Sequence, residues 1–129
     1  MQIIGHRQNW FAGSDSALWN ALNHRDSRGG GSYWLAMNDT KWPCLAVRLS
    51  GNVGDIHFFP FEGHPGYRRM NASIVGQEGN SKLVFEGCDP DDGEETPNIF
   101  LIPIEEIVCV CKEFFQNGGV EVANGWLEL

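Results

Sequence analysis

Residues 103–129, PIEEIVCVCKEFFQNGGVEVANGWLEL, constrain the fold more than any other stretch, because they spell a helix, its stop and a following strand in one run. Pro103 suits a first helical turn, where its missing N–H costs nothing, and Glu105 and Glu106 favour the positive helix N-terminus. Ile104, Ile107, Val108, Cys111, Phe114 and Phe115 recur at helical spacing and predict one apolar face. Asn117-Gly118-Gly119 ends the helix, since glycine accepts the left-handed conformation that a helix C-terminus needs. Trp126 to Leu129 then reads as a short final strand.

The strongest strand signal lies mid-chain. Leu45, Val47 and Leu49 alternate with Ala46, Arg48 and Ser50, and Ile56 and Phe58 resume the alternation beyond the turn residues Gly51 to Gly54. Met1 to Ile4 and Tyr33 to Met37 are further candidate strands. Ala72 to Val75 is expected to pair with Leu83 to Phe85, and Ile99 to Ile102 to lead as a strand into the long helix. Ser14-Asp15-Ser16 offers N-caps to a shorter helix containing Ala17, Leu18, Ala21 and Leu22, which the glycine run of Ser27 to Ser32 breaks as a loop. The expected fold is α+β in a single domain, 1–129. It is a mostly antiparallel sheet of about six short strands, covered by a long C-terminal helix and a shorter N-terminal one.

The Pro-x-Glu-Glu helix entry, the Phe-Phe-x-x-Gly-Gly exit and the Trp-x-Glu strand together resemble the bacterial family called immunity protein one. The hairpin CLAVRLSGNVGDIHFFP and the loop EGHPGYRRMN after it are similar to that family's central hairpin and Pro-Gly loop. The resemblance covers roughly the last two thirds of the chain. It implies a small cytoplasmic antitoxin that is not an enzyme. Such a protein binds and neutralises the C-terminal domain of a polymorphic toxin, often a nucleic-acid deaminase. The expected partner is a deaminase or nuclease toxin domain, and the expected state of the chain is a monomer or weak homodimer.

Charge points toward a protein partner on its own account. Nine basic and seventeen acidic side chains give a net charge of −8. Glu86, Asp89, Asp91, Asp92, Glu94 and Glu95 fall within one ten-residue run that holds no base, so the rest of the chain carries only −2 of that −8. Direct nucleic-acid binding normally needs a basic footprint, which disfavours it here, whereas a basic protein becomes a natural partner. No apolar run approaches the roughly twenty residues of a membrane span, and no export signal opens the chain, so no membrane association and a cytoplasmic location are expected. That placement favours reduced thiols at Cys44, Cys88, Cys109 and Cys111. Cys109 and Cys111 lie about 200° apart around a helix, which predicts a buried Cys111 and a wetter Cys109.

Catalytic and metal motifs fail on inspection. A deaminase-type zinc site needs His-x-Glu and Pro-Cys-x-x-Cys, and neither occurs. The acidic run fails the calcium-loop register: counted from Asp89, its required glycine falls on Glu94 and its twelfth position on Phe100. His24-Arg25-Asp26 echoes a kinase tripeptide without the accompanying phosphate loop, and suits a helix end instead. No cofactor and no metal are expected. Asp55 and His57 share one face of a strand and, with His64 nearby, form the one enzymatic or ligand-binding alternative. A homo-oligomeric adaptor using the aromatic residues is the other. His64-Pro65-Gly66-Tyr67 predicts a β-turn that presents Tyr67, Arg68 and Arg69, residue types common as binding anchors. The six carboxylates are therefore the first candidate contact, and His64, Tyr67, Arg68 and Arg69 the second. Trp10, Phe11, Trp34 and Trp42 are not apportioned between core and surface.

Overall fold

The central hairpin organises the molecule. In the computed structural model, which describes residues 1–6, 8–37, 40–71, 79–86 and 93–129, the first strands are β1 (Gln2–Gly5), β2 (Asn9–Phe11) and β3 (Gly30–Ala36). The hairpin is β4 (Cys44–Ser50) and β5 (Val53–Phe59), followed by β6 (Tyr67–Arg69). Then come β7 (Asn80–Leu83), β8 (Glu94–Pro97), β9 (Ile102–Pro103) and β10 (Trp126–Glu128). The helices are α1 (Asp15–Leu22) and α2 (Ile104–Asn117).

Eight of these strands form one sheet in the order β10-β6-β5-β4-β3-β1-β2, with β9 paired to β5 off that path; β7 and β8 form a second, two-stranded sheet. Every pairing is antiparallel. β6 and β9 share one edge of β5: His57 and Phe58 pair with β6, while Val53 and Gly54 pair with β9.

Alternation gives the large sheet an inner and an outer face. Ile3, Tyr33, Leu35, Leu45, Val47, Leu49, Ile56 and Phe58 point inward into one core, where they meet Leu18, Ala21 and Leu22 of α1 and Ile107, Val110, Cys111 and Phe114 of α2. Burying each of the larger apolar side chains stabilises the fold by about 1.5–3 kcal/mol. The buried stripe of α2 is thus 107, 110, 111 and 114, so Val110 joins the core while Val108 is only half-buried. Cys111 is buried and Cys109 exposed, as their helical spacing predicts. Burial pushes the Cys111 thiol to about 12 and that of Cys44 to about 11.

The expected fold is corrected. Among the described residues there are ten strands rather than six, in two sheets, and the helices are short, at 8 and 14 residues. α2 does not cover the sheet: it packs against β4, β5 and β9 at its middle and touches α1. The strands missed by periodicity include β2, β6 and β9, which are two or three residues long and too short to show a period. Three local readings change as well. Gly30 to Ser32 belong to β3, not to a loop. Asn98–Phe100 form a 3-10 turn, so only Ile102 of the expected strand 99–102 pairs in the sheet. Leu83 pairs with Glu94 of β8; its expected partners at Ala72 to Val75 lie outside the described residues.

Two glycines have clear physical reasons. Gly118 caps α2 at φ 70°, and its N–H donates to the Phe114 carbonyl at 2.8 Å. Gly30 allows the Phe85–Glu86 backbone to cross β3, since a Cβ there would lie 2.7 Å from the Glu86 nitrogen.

Candidate functional site

The outer face is built from the other half of each alternation. Arg48 stands opposite Asp55, Ala46 opposite His57 and Trp34 opposite Ala46. Asp55 is 0% exposed. Its carboxylate accepts from Arg48 Nε at 3.1 Å and Nη2 at 2.7 Å, and from Arg68 Nη2 at 2.9 Å. Arg48 also donates to Glu94 of β8. Each guanidinium is covered by a ring, Arg48 by Phe85 at 4.4 Å and Arg68 by Phe100 at 4.1 Å. Burial opposes the charge on Arg48, but the Asp55 and Glu94 carboxylates more than offset it and hold the group above its ordinary range. Arg68 Nε is buried without a hydrogen-bond partner among the described residues, beneath the Phe100 ring. The segments 79–86 and 93–100 therefore cover this half of the outer face and close over an ion-pair cluster.

That closure separates the residues of the enzymatic alternative. Asp55 is shared by two guanidinium groups, and burial lowers the His57 pKa from its ordinary 6.5. His64 lies elsewhere. Its ring stacks on Tyr67 at 5.0 Å, and Tyr67 pairs with the inward-facing Phe58, on the opposite side of the sheet from Asp55 and His57. His64 Nδ1 accepts from the Gly66 N–H at 2.8 Å, which places the ring proton on Nε2, 3.2 Å from Glu128. The Tyr67 hydroxyl and His64 together hold the Glu128 pKa below its ordinary value. Among the described residues no group of three or more His, Cys, Asp or Glu is placed to hold a metal ion.

The second candidate contact is largely committed to the fold. Arg68 serves Asp55, and Arg69 donates to Glu106 Oε1 from Nη2 at 2.8 Å and from Nε at 3.1 Å, which ties β6 to the first turn of α2. Tyr67 and His64 retain a half-buried position at the β6–β10 edge.

Of the six carboxylates, Asp89, Asp91 and Asp92 lie outside the described residues. Glu94 and Glu95 are strand residues of β8 rather than loop residues, and Glu95 is exposed. Glu86 accepts from the Ser32 N–H at 3.1 Å and lines a polar cleft of about 130 Å³ with Trp10, His24, Arg25, Asp26 and Tyr33. The walls of that cleft are structural. Arg25 donates to the Leu22, Gly29 and Gly51 carbonyls, and the single Tyr33 O–H is shared between those of Leu22 and His24. Burial raises the Tyr33 pKa to about 12, so it stays protonated.

The other half of the outer face leaves several large side chains exposed, and sequence reasoning did not single it out. Trp34 is 45% exposed, Ile4 40% and Phe11 68%, in neighbouring strands. Trp34 stacks on Phe59 at 5.8 Å, and Trp42 meets the same ring edge-on at 6.3 Å. The available signal is the phase of β3: Tyr33 and Leu35 point inward, which forces Trp34 outward.

No family model and no curated protein matches this chain. Among the described residues no helix is long and apolar enough to cross a membrane.

Proposed function

We propose that this chain is an immunity-type protein, which binds a cognate toxin domain one-to-one and neutralises it by occlusion. The observation that carries this reading is the closure of Asp55 between Arg48 and Arg68. The carboxylate best suited to act as a base instead holds strands together, which favours binding over catalysis. The motif resemblance at the C-terminal helix, the final strand and the central hairpin supplies the class of partner. The net charge of −8 supplies the physical means. A toxin acting on nucleic acid needs a positive cleft, and an acidic protein can fill or cover it while excluding the substrate. Charge complementarity also speeds encounter and helps select the partner.

The test is calorimetric titration, at low and high salt, with the C-terminal domain encoded by the gene immediately upstream. Tight one-to-one binding that weakens with salt is the expected result. No binding to that domain at either salt would remove the immunity reading.

A further inference from the structure

We propose that Asn124 is a covalent modification site, where the side-chain amide is lost to attack by the backbone nitrogen of Gly125, and that the fold protects the matching pair at Asn117. This site needs no partner protein. Asparagine is among the thermolabile residues, and a following glycine, without a Cβ, leaves its backbone nitrogen open to the side chain before it. The chain contains two Asn-Gly pairs, Asn117-Gly118 and Asn124-Gly125, and both asparagines are exposed. The dipeptide alone does not distinguish them.

The structure separates them at the attacking nitrogen. The Gly118 N–H donates to the Phe114 carbonyl at 2.8 Å in the C-cap of α2, so that nitrogen is held in a hydrogen bond that must open first. Asn124 lies in the bend that leads into β10. There the Gly125 carbonyl accepts from the Met70 N–H at 2.8 Å, but among the described residues the Gly125 N–H has no acceptor. Arg69 Nη1 donates to the Asn124 carbonyl at 3.3 Å. That carbonyl belongs to the same peptide group as the Gly125 nitrogen, so a cation beside it favours the anion left when the N–H proton departs.

Water is the only co-reactant. The Gly125 nitrogen loses its proton, and its electron pair forms a bond to Asn124 Cγ, closing a cyclic imide. The side-chain Cγ–N bond breaks, and the departing nitrogen takes up a proton and leaves as ammonia. Water then opens the imide at either of its carbonyls. One opening gives Asp; the other gives isoaspartate, whose main chain runs through the side-chain methylene and is longer for it. Both products add a negative charge next to Arg69. Isoaspartate also displaces the entry to β10, where Gly125 bonds Met70 and the buried Trp126 pairs with Arg69.

The experiment ages the intact chain in mildly alkaline buffer and follows the C-terminal tryptic peptide 113–129, which holds both asparagines, by tandem mass spectrometry. Asn124 is expected to convert to the acid, and Asn117 to convert at least about 5-fold more slowly, the factor that one net hydrogen bond supplies. In concentrated urea the two rates should draw level, because the C-cap of α2 is then gone. Asn124→Gln, whose longer side chain closes a ring less readily, should stay unconverted and keep its thermal midpoint through the ageing period, while the parent's midpoint falls. Asn117 converting as fast as Asn124 in the folded chain, or Asn124 converting only in urea, would overturn the assignment. A parent midpoint that holds while Asn124 converts would overturn the displacement of β10.

Discussion

At Asp55 a fully buried carboxylate is shared by two guanidinium groups, themselves capped by Phe85 and Phe100. Removing one partner from a buried ion cluster leaves the other charges uncompensated, which costs more than the cluster contributes when intact. Asp55→Asn should therefore lower stability by about 3 kcal/mol, the low end of the usual range, because Arg48 keeps Glu94 and partial exposure. A urea midpoint that drops with an unchanged denaturant slope would establish this, while a parent-like midpoint would mean the cluster is dispensable. Beside it, burial lowers the His57 pKa below 6.5, with Arg68 and Arg48 adding to the shift and Asp55 opposing it. Between that lowered value and 6.5 the unfolded chain binds more protons, so stability falls as pH drops through this window and levels off beneath it. The His57→Gln chain lacks that loss, and its midpoint should change less than the parent's between about pH 7 and pH 5. Parallel pH profiles would place His57 in ordinary solvent. The sequence put Asp55 and His57 on one strand face correctly, by period alone. That Asp55 is closed off there depends on Arg68 and on residues 85, 94 and 100, which no local pattern connects to it.

At the scale of elements, α2 and the central hairpin were legible because each repeats its signal over several turns or alternations. The helix stop is local too. Gly118 has φ 70°, and among the described residues a Cβ there would meet only Met37 at 4.0 Å, so Gly118→Ala should cost about 1 kcal/mol, mainly for conformation. Gly30 has no such φ, yet a Cβ would strike the Glu86 nitrogen and push residues 85–86 off β3. Gly30→Ala should thus cost more, roughly 2 kcal/mol or above, and should loosen the cover over Arg48. Thermal melts of the two variants side by side check the order, and a Gly118 variant less stable than the Gly30 one would contradict it. A helix cap is written in neighbouring residues, whereas a crossing of segments 55 residues apart is not. The same reason hid the pairing of β6 with the final strand β10, which joins Arg68 to Leu127.

At the scale of the whole molecule, net charge acts on the approach of a partner. Converting Glu86, Asp89, Asp91, Asp92, Glu94 and Glu95 to amides takes the net charge from −8 to −2. Association with a basic domain should then slow by about 10-fold or more at low salt and lose most of its salt dependence, while dissociation changes less. Stopped-flow association across a salt series measures both, and an unchanged rate would assign the steering to other acids. By itself the sequence determined the acidic balance, the stop and most of the apolar stripe of α2, the hairpin, and the separation of Cys109 from Cys111. Each of these is set by composition or by a period that neighbouring residues carry. The tertiary structure alone decided the ten-strand order, the closure of Asp55, the parting of His64 from His57, and the exposure of Trp34. Those depend on which distant segments cover which half of a sheet face. Alternation says which side a residue takes, and only packing says what lies over it.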